Sequence, residues 1–238
     1  MPMAQPAQRI IESIALQRAQ IERDPERCEH LRALQRFQVE RLRGTYADFA
    51  AQQRYRAALE FFVTDLYGPN DRTGRDRELN KVLDQWARLL PERALHASSR
   101  ALELELLTHE LDVAMVDALR GAAPSPDTYA DAYRRTARYD DRRWQIDLIL
   151  AAGRDLAALI EIPALGAALR VARVPARMLG VMDLHQFLER GYQAFKQMGR
   201  ADELLHIVEQ READIMRRLI EGIPDPFRMH GPARAASR

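Results

Sequence analysis

Apolar residues recur every three or four positions along nearly the whole chain, and no stretch alternates with the two-residue period of a strand. The pattern predicts a helix from about Gln8 to Glu22, stopped near Asp24-Pro25. A second starts at Pro25, whose fixed φ suits a first helical turn, and carries Leu31, Leu34, Phe37, Arg41 and Leu42 on one side. A third passes through Tyr55, Leu59, Phe62 and Leu66 and ends at Gly68-Pro69. After a loop at 69–75, Leu79, Val82, Leu83, Trp86 and Leu90 mark a further helix. The longest runs from about Glu92 to Leu119, and Ser125 is placed to cap the next one at Pro126. Later helices are expected over about 141–160, 180–198 and 201–221, and the Pro163 to Pro175 region reads as a short helix with connections. Long helices with short links predict an all-α fold: a single-domain multi-helix bundle of mostly antiparallel helices over 1–222, with a flexible tail at 223–238.

Laid out at 100° per residue, several of these helices place acids where acids are costly. Glu103, Glu110 and Asp117 are seven apart and share a stripe beside Leu107 and Ala114, whereas Glu105, His109 and Asp112 fall on the opposite side. Asp65 lies near Phe61 and Phe62, and Asp155 aligns with Leu148, Ala152 and Leu159. Arg211 and Glu212 sit between Leu204, Val208, Ile215 and Leu219. Asp65, Glu103, Glu110, Asp155, Arg211 and Glu212 are therefore the candidate binding residues. An ionised carboxylate in a dry interior needs a cation, hydrogen bonds or a metal. Three readings follow: a buried network with Arg41, Arg75, Arg100 and Arg211; a carboxylate metal site of ferritin-like build; or a ligand pocket or oligomer interface. The one Glu-x-x-His turn, Glu203 to His206, falls on the solvent side of its helix, so no metal ligands are assigned.

Composition narrows the field. The net charge is +1, which predicts no attraction to nucleic acid or anionic membranes, and no apolar run reaches the ~20 residues of a membrane span. Only Lys81 and Lys196 are lysines among 36 basic residues; the arginines are dispersed among acids and form no basic block. Cys28 is the single cysteine and, lying off the apolar face of its helix, reads as an inert thiol. His30 and His185 read as packing residues at the edges of apolar faces. The N-terminus lacks the apolar segment of a signal peptide, so a cytoplasmic location is expected. No phosphate loop, dinucleotide fingerprint, nucleophile elbow or zinc-protease helix is present.

The stretch from Arg41 to Asp71 contains Thr45-Tyr46-Ala47-Asp48, Arg54-Tyr55, Phe61-Phe62 and Leu66-Tyr67-Gly68. With Arg75-Asp76, Phe187 to Gly191 and Arg211-Glu212, it resembles an uncharacterised bacterial family of helical proteins carrying an FFLEELY motif. Here Val63, Thr64 and Asp65 replace the Leu-Glu-Glu of that motif, so only one acid remains. The resemblance implies a helical fold and a bacterial source, and no activity or cofactor. The function expected is a non-enzymatic binding or self-associating module, its partner another protein or a second copy. The alternative is a metal- or small-molecule-dependent enzyme of ferritin-like or heme-oxygenase-like build using interior carboxylates.

Overall fold

A computed structural model describes residues 4–68, 78 and 92–228. The expected loop at 69–75 and helix through Leu79 to Leu90, with Arg75, lie outside the described residues. Among the described residues there are ten α-helices and no strand. They are α1 (Ala4–Glu22), α2 (Pro25–Thr45), α3 (Ala47–Ala50), α4 (Gln53–Phe61), α5 (Glu92–Leu119), α6 (Pro126–Thr136), α7 (Tyr139–Ile160), α8 (Leu165–Leu179), α9 (Met182–Met198) and α10 (Asp202–Glu221). A π-helical turn, Phe62–Tyr67, continues α4.

The ends follow local chemistry. Asp24 caps α2 by accepting from the Arg27 amide at 3.1 Å, and Pro25 fills the first turn. Ser125 and Thr128 form a reciprocal capping box at the start of α6. Gly180 and Gly222 close α8 and α10 in the left-handed region, where a side chain would be strained. Gly44 lies one residue before the end of α2, where its low helix propensity costs little.

The segment after Ile160 departs from expectation: it holds a 15-residue helix rather than a short one. Pro175 lies inside it, in the penultimate turn and on the exposed side, so the hydrogen bond it cannot donate is lost at a solvated position. One face of α8 packs on α9. Val171, Val174 and Met178 project outward and are 75%, 68% and 83% exposed.

α5 is the axis of the molecule and packs against α1, α2, α6 and α7. Two apolar clusters flank the interior. Leu34, Met115, Ala132, Ile215 and Leu219 form one, and Phe227 joins it by packing edge-on to Phe37 and Tyr129, so the chain beyond α10 docks at least to that residue. Cys28 also packs against this cluster instead of standing off it, because neighbouring helices cover a wider arc of α2 than its apolar stripe suggests. Leu42, Phe49, Tyr55, Met198 and Leu204 form the other cluster. α4 and α9 approach closely at Gly191, where a Cβ would lie 2.8 Å from Phe61 Cζ.

Candidate functional site

Between the two clusters lies a cavity of about 1620 Å³, with exposed residues such as Glu22, Arg43 and Glu60 at its rim. Most of its wall is apolar and includes Leu59, Phe62, Ile149, Leu156, Phe187 and Leu205. At one end the lining turns polar, with Gln38, Arg41, His109, Asp112, Arg142 and Glu212. All but Arg41 and Glu212 are at most 7% exposed.

Each side chain reaches this end by helical register. Gln38 is four residues from both Leu34 and Leu42 on the buried stripe of α2. Arg142 occupies the same position on α7, one turn before Ile146. His109 and Asp112 are three apart on α5, in line with buried Val116 and Leu119. Tyr67 closes the π turn, which widens the helix so that the phenol enters the cavity lining.

Within this end two groups of contacts differ in how completely they are satisfied. In the first, Arg41 Nη1 donates to Glu212 Oε1 at 2.6 Å and the Tyr46 hydroxyl donates to the same oxygen at 2.8 Å. Burial disfavours the Arg41 cation, but Glu212 together with Tyr129 and Tyr46 outweighs it and holds the guanidinium above its ordinary pKa. Burial and then Glu212 push the Tyr46 phenol well up. Next to this, Arg211 grips both oxygens of Asp48, at 2.8 and 2.6 Å, and also donates to the Thr45 carbonyl.

In the second group, Gln38 Nε2 donates to Asp112 Oδ1 at 3.1 Å, and the Tyr67 hydroxyl reaches the same oxygen at 3.5 Å. Burial, then the Asp112 charge, raises the Tyr67 pKa well above the usual phenol value. Arg142 Nη1 donates to Gln145 Oε1 at 3.3 Å, and Gln145 in turn donates to Thr108 at 2.8 Å. The Arg142 guanidinium lies 5.2 Å from the centre of the Tyr133 ring. Its Nε and Nη2 have no hydrogen-bond partner, and neither has Gln38 Oε1.

The candidate residues named from sequence do not converge. Of the six, only Glu212 lines the cavity. Asp155 takes Arg100 Nη1 at 2.5 Å, and Asp65 takes Arg190 Nε at 3.0 Å. Arg211 is engaged with Asp48. Glu103 is exposed and accepts from the Trp144 indole at 3.3 Å. Glu110 is 37% exposed, accepts from Gln17 at 3.3 Å and faces Arg138 at 3.7 Å. The expected orientation of α5 is thus reversed: His109 and Asp112 point inward, and the Glu103–Glu110–Asp117 stripe points out. The reason is that α5 is apolar around most of its circumference, so its wheel holds no strong inward direction, and four neighbouring helices choose the face instead.

Arginine pairing itself is as expected for Arg41, Arg100 and Arg211. Glu203 and His206 are exposed, as their wheel placed them; Glu203 accepts from the Tyr55 hydroxyl and His206 meets Gln210. His185 is buried with Nε2 2.9 Å from the Leu169 carbonyl, a packing role. Among the described residues, no three His, Cys, Asp or Glu side chains are grouped to hold a metal, and no helix is long and apolar enough to cross a membrane.

Sequence reasoning missed Gln38, Tyr67, His109, Asp112 and Arg142. For Gln38 and Arg142 a signal existed: each is a polar residue in register with an apolar stripe.

Fold and lining together define an all-α protein with a large, mostly apolar cavity lined at one end by polar side chains. Residues 17–226 match the family described as "Domain of unknown function (DUF8198)", and the chain belongs to that family. No curated protein and no solved structure matches it.

Proposed function

We propose that this protein binds a small molecule of predominantly apolar character in the cavity between α2, α4, α5, α7, α9 and α10. The observation that carries this reading is the cavity: about 1620 Å³, with apolar walls and polar groups converging at one end. Small-molecule pockets are typically about 300–1,000 Å³ and share that construction. A void of this size left dry would forfeit dispersion contacts along its whole lining, a cost that an occupant removes. Non-catalytic action is part of the same proposal, supported by the engagement of five of the six candidate residues in contacts outside the cavity. In this reading the protein acts in the bacterial cytoplasm, in keeping with its resemblance to the FFLEELY-motif proteins.

Titration with the uncharged fluorophore Nile red tests it. Saturable binding is expected, and it should be abolished in Ala152→Trp, which places an indole in the cavity lining. Absence of saturable binding to the native chain, or binding indifferent to Ala152→Trp, refutes the reading.

A further inference from the structure

Among the described residues, Arg142 is the buried cation with the most donors left without a partner. It is 7% exposed, lines the cavity and makes no ion pair with a described carboxylate. Asp112 shares this end of the cavity, but its Oδ1 is engaged by Gln38 and Tyr67. The end of the guanidinium is used by Gln145 through Nη1, and the ring of Tyr133 supports the group. What stays unanswered is Nε together with Nη2. These two donors lie on one edge of the planar group and point in parallel, the arrangement that receives the two oxygens of a carboxylate.

Leaving two charged donors dry is costly, and buried arginines in native proteins are ordinarily paired. Elsewhere the chain supplies such partners: Arg41 has Glu212 in the interior, and Arg211 has both Asp48 oxygens nearer the surface. At Arg142 the described residues supply none, and the residue is part of the cavity lining. From there the apolar wall continues through Ile146, Ile149 and Leu156 along the same helix, the one that carries Arg142.

We propose that Arg142 is the head-group anchor of the cavity and that the ligand is a long-chain carboxylate, its two oxygens on Nε and Nη2 and its hydrocarbon tail along the apolar wall of α7. This rests on the ligand-binding reading above. It narrows that reading from any apolar molecule to an amphipathic anion.

The test displaces Nile red with two probes of equal tail, dodecanoate and dodecanol, from the native chain, Arg142→Met, Arg142→Gln and Ala152→Trp. Dodecanoate should bind the native chain at least about 10-fold more tightly than either Arg142 variant does, the scale of a charge-assisted hydrogen-bond pair. Dodecanol should bind all three within about twofold, since it cannot use the fork. Ala152→Trp should lose both probes. Equal affinity of dodecanoate for the native chain and a folded Arg142 variant, with dodecanol still bound, overturns the anchor and leaves the cavity reading standing. Failure of both probes and of Nile red on the native chain overturns both. Arg142→Gln keeps a shorter, uncharged polar group, so parallel loss of dodecanoate in both variants, with melting curves like the native one, separates lost recognition from lost folding.

Discussion

Two polar clusters lie side by side at one end of the cavity, and they are built to different ends. Around Arg41 the interior charges are closed: Glu212 and Tyr46 complete the guanidinium, and Arg211 with Asp48 and the Thr45 carbonyl complete the neighbouring corner. Around Arg142 they are open: two donors and the Gln38 side-chain carbonyl, on residues that line the cavity, have no hydrogen-bond partner. A closed cluster fixes how α2 and α10 lie together. An open one keeps polar capacity in reserve for something that is not part of the chain. The difference lies in the partners, because burial of the two sites is similar: Glu212 and Arg41 side chains are 15% and 14% exposed and Arg142 is 7%.

Four measurements press on that contrast. The largest effect is expected from Glu212→Leu, which strands Arg41 without its counter-charge; chemical denaturation should show a loss of about 3–5 kcal/mol. A loss under about 1 kcal/mol would mean that the cluster is not closed in solution. Arg142→Met should move the other way or not at all. Removing unpaired buried donors from the ligand-free protein is worth up to about 1–3 kcal/mol, so a marked destabilisation by this substitution would show that Arg142 has a structural partner after all. Glu110→Leu should stay within about 1 kcal/mol, since its contacts to Gln17 and Arg138 are peripheral and solvated; a larger loss in the same denaturation experiment would place this acid back in the interior.

The smallest effect concerns pH. The Arg211 fork, against a lesser desolvation penalty, holds the Asp48 carboxyl below its usual value. Its contribution is therefore full above about pH 4, the range of an unfolded aspartate, and fades as pH falls through the lowered folded value. Melting temperature followed from pH 5 to 2 should fall less steeply in Asp48→Asn than in the native chain. Identical slopes would assign the acid sensitivity to other carboxylates, among them Asp214, also held low by Arg217 and Arg218 against its own burial.

The helices were legible because caps and breakers are local. Asp24-Pro25, Ser125-Pro126, Gly180 and Gly222 all act within one turn of their own position. The pairing of interior acids with arginine was legible in kind, as Asp155 with Arg100 and Glu212 with Arg41 show. The site was much less so. The face that α5 turns inward depends on four neighbours far away in sequence, and a helix apolar nearly all round gives no hint of their positions. Tyr67 was hidden for another reason: its direction depends on a π turn, and a wheel drawn at regular α-helical pitch points it elsewhere.

That turn also has a bearing on how the chain could change over generations. A π turn holds more residues per turn than the regular α-helical pitch, so its register is set by chain length. Deleting one residue between Phe62 and Tyr67 would restore regular winding and swing everything after it by about 100°, lifting the Tyr67 phenol away from Asp112 while leaving α4 as it stands. The polar end of the cavity can thus be rewritten by a change in length as readily as by a change in residue.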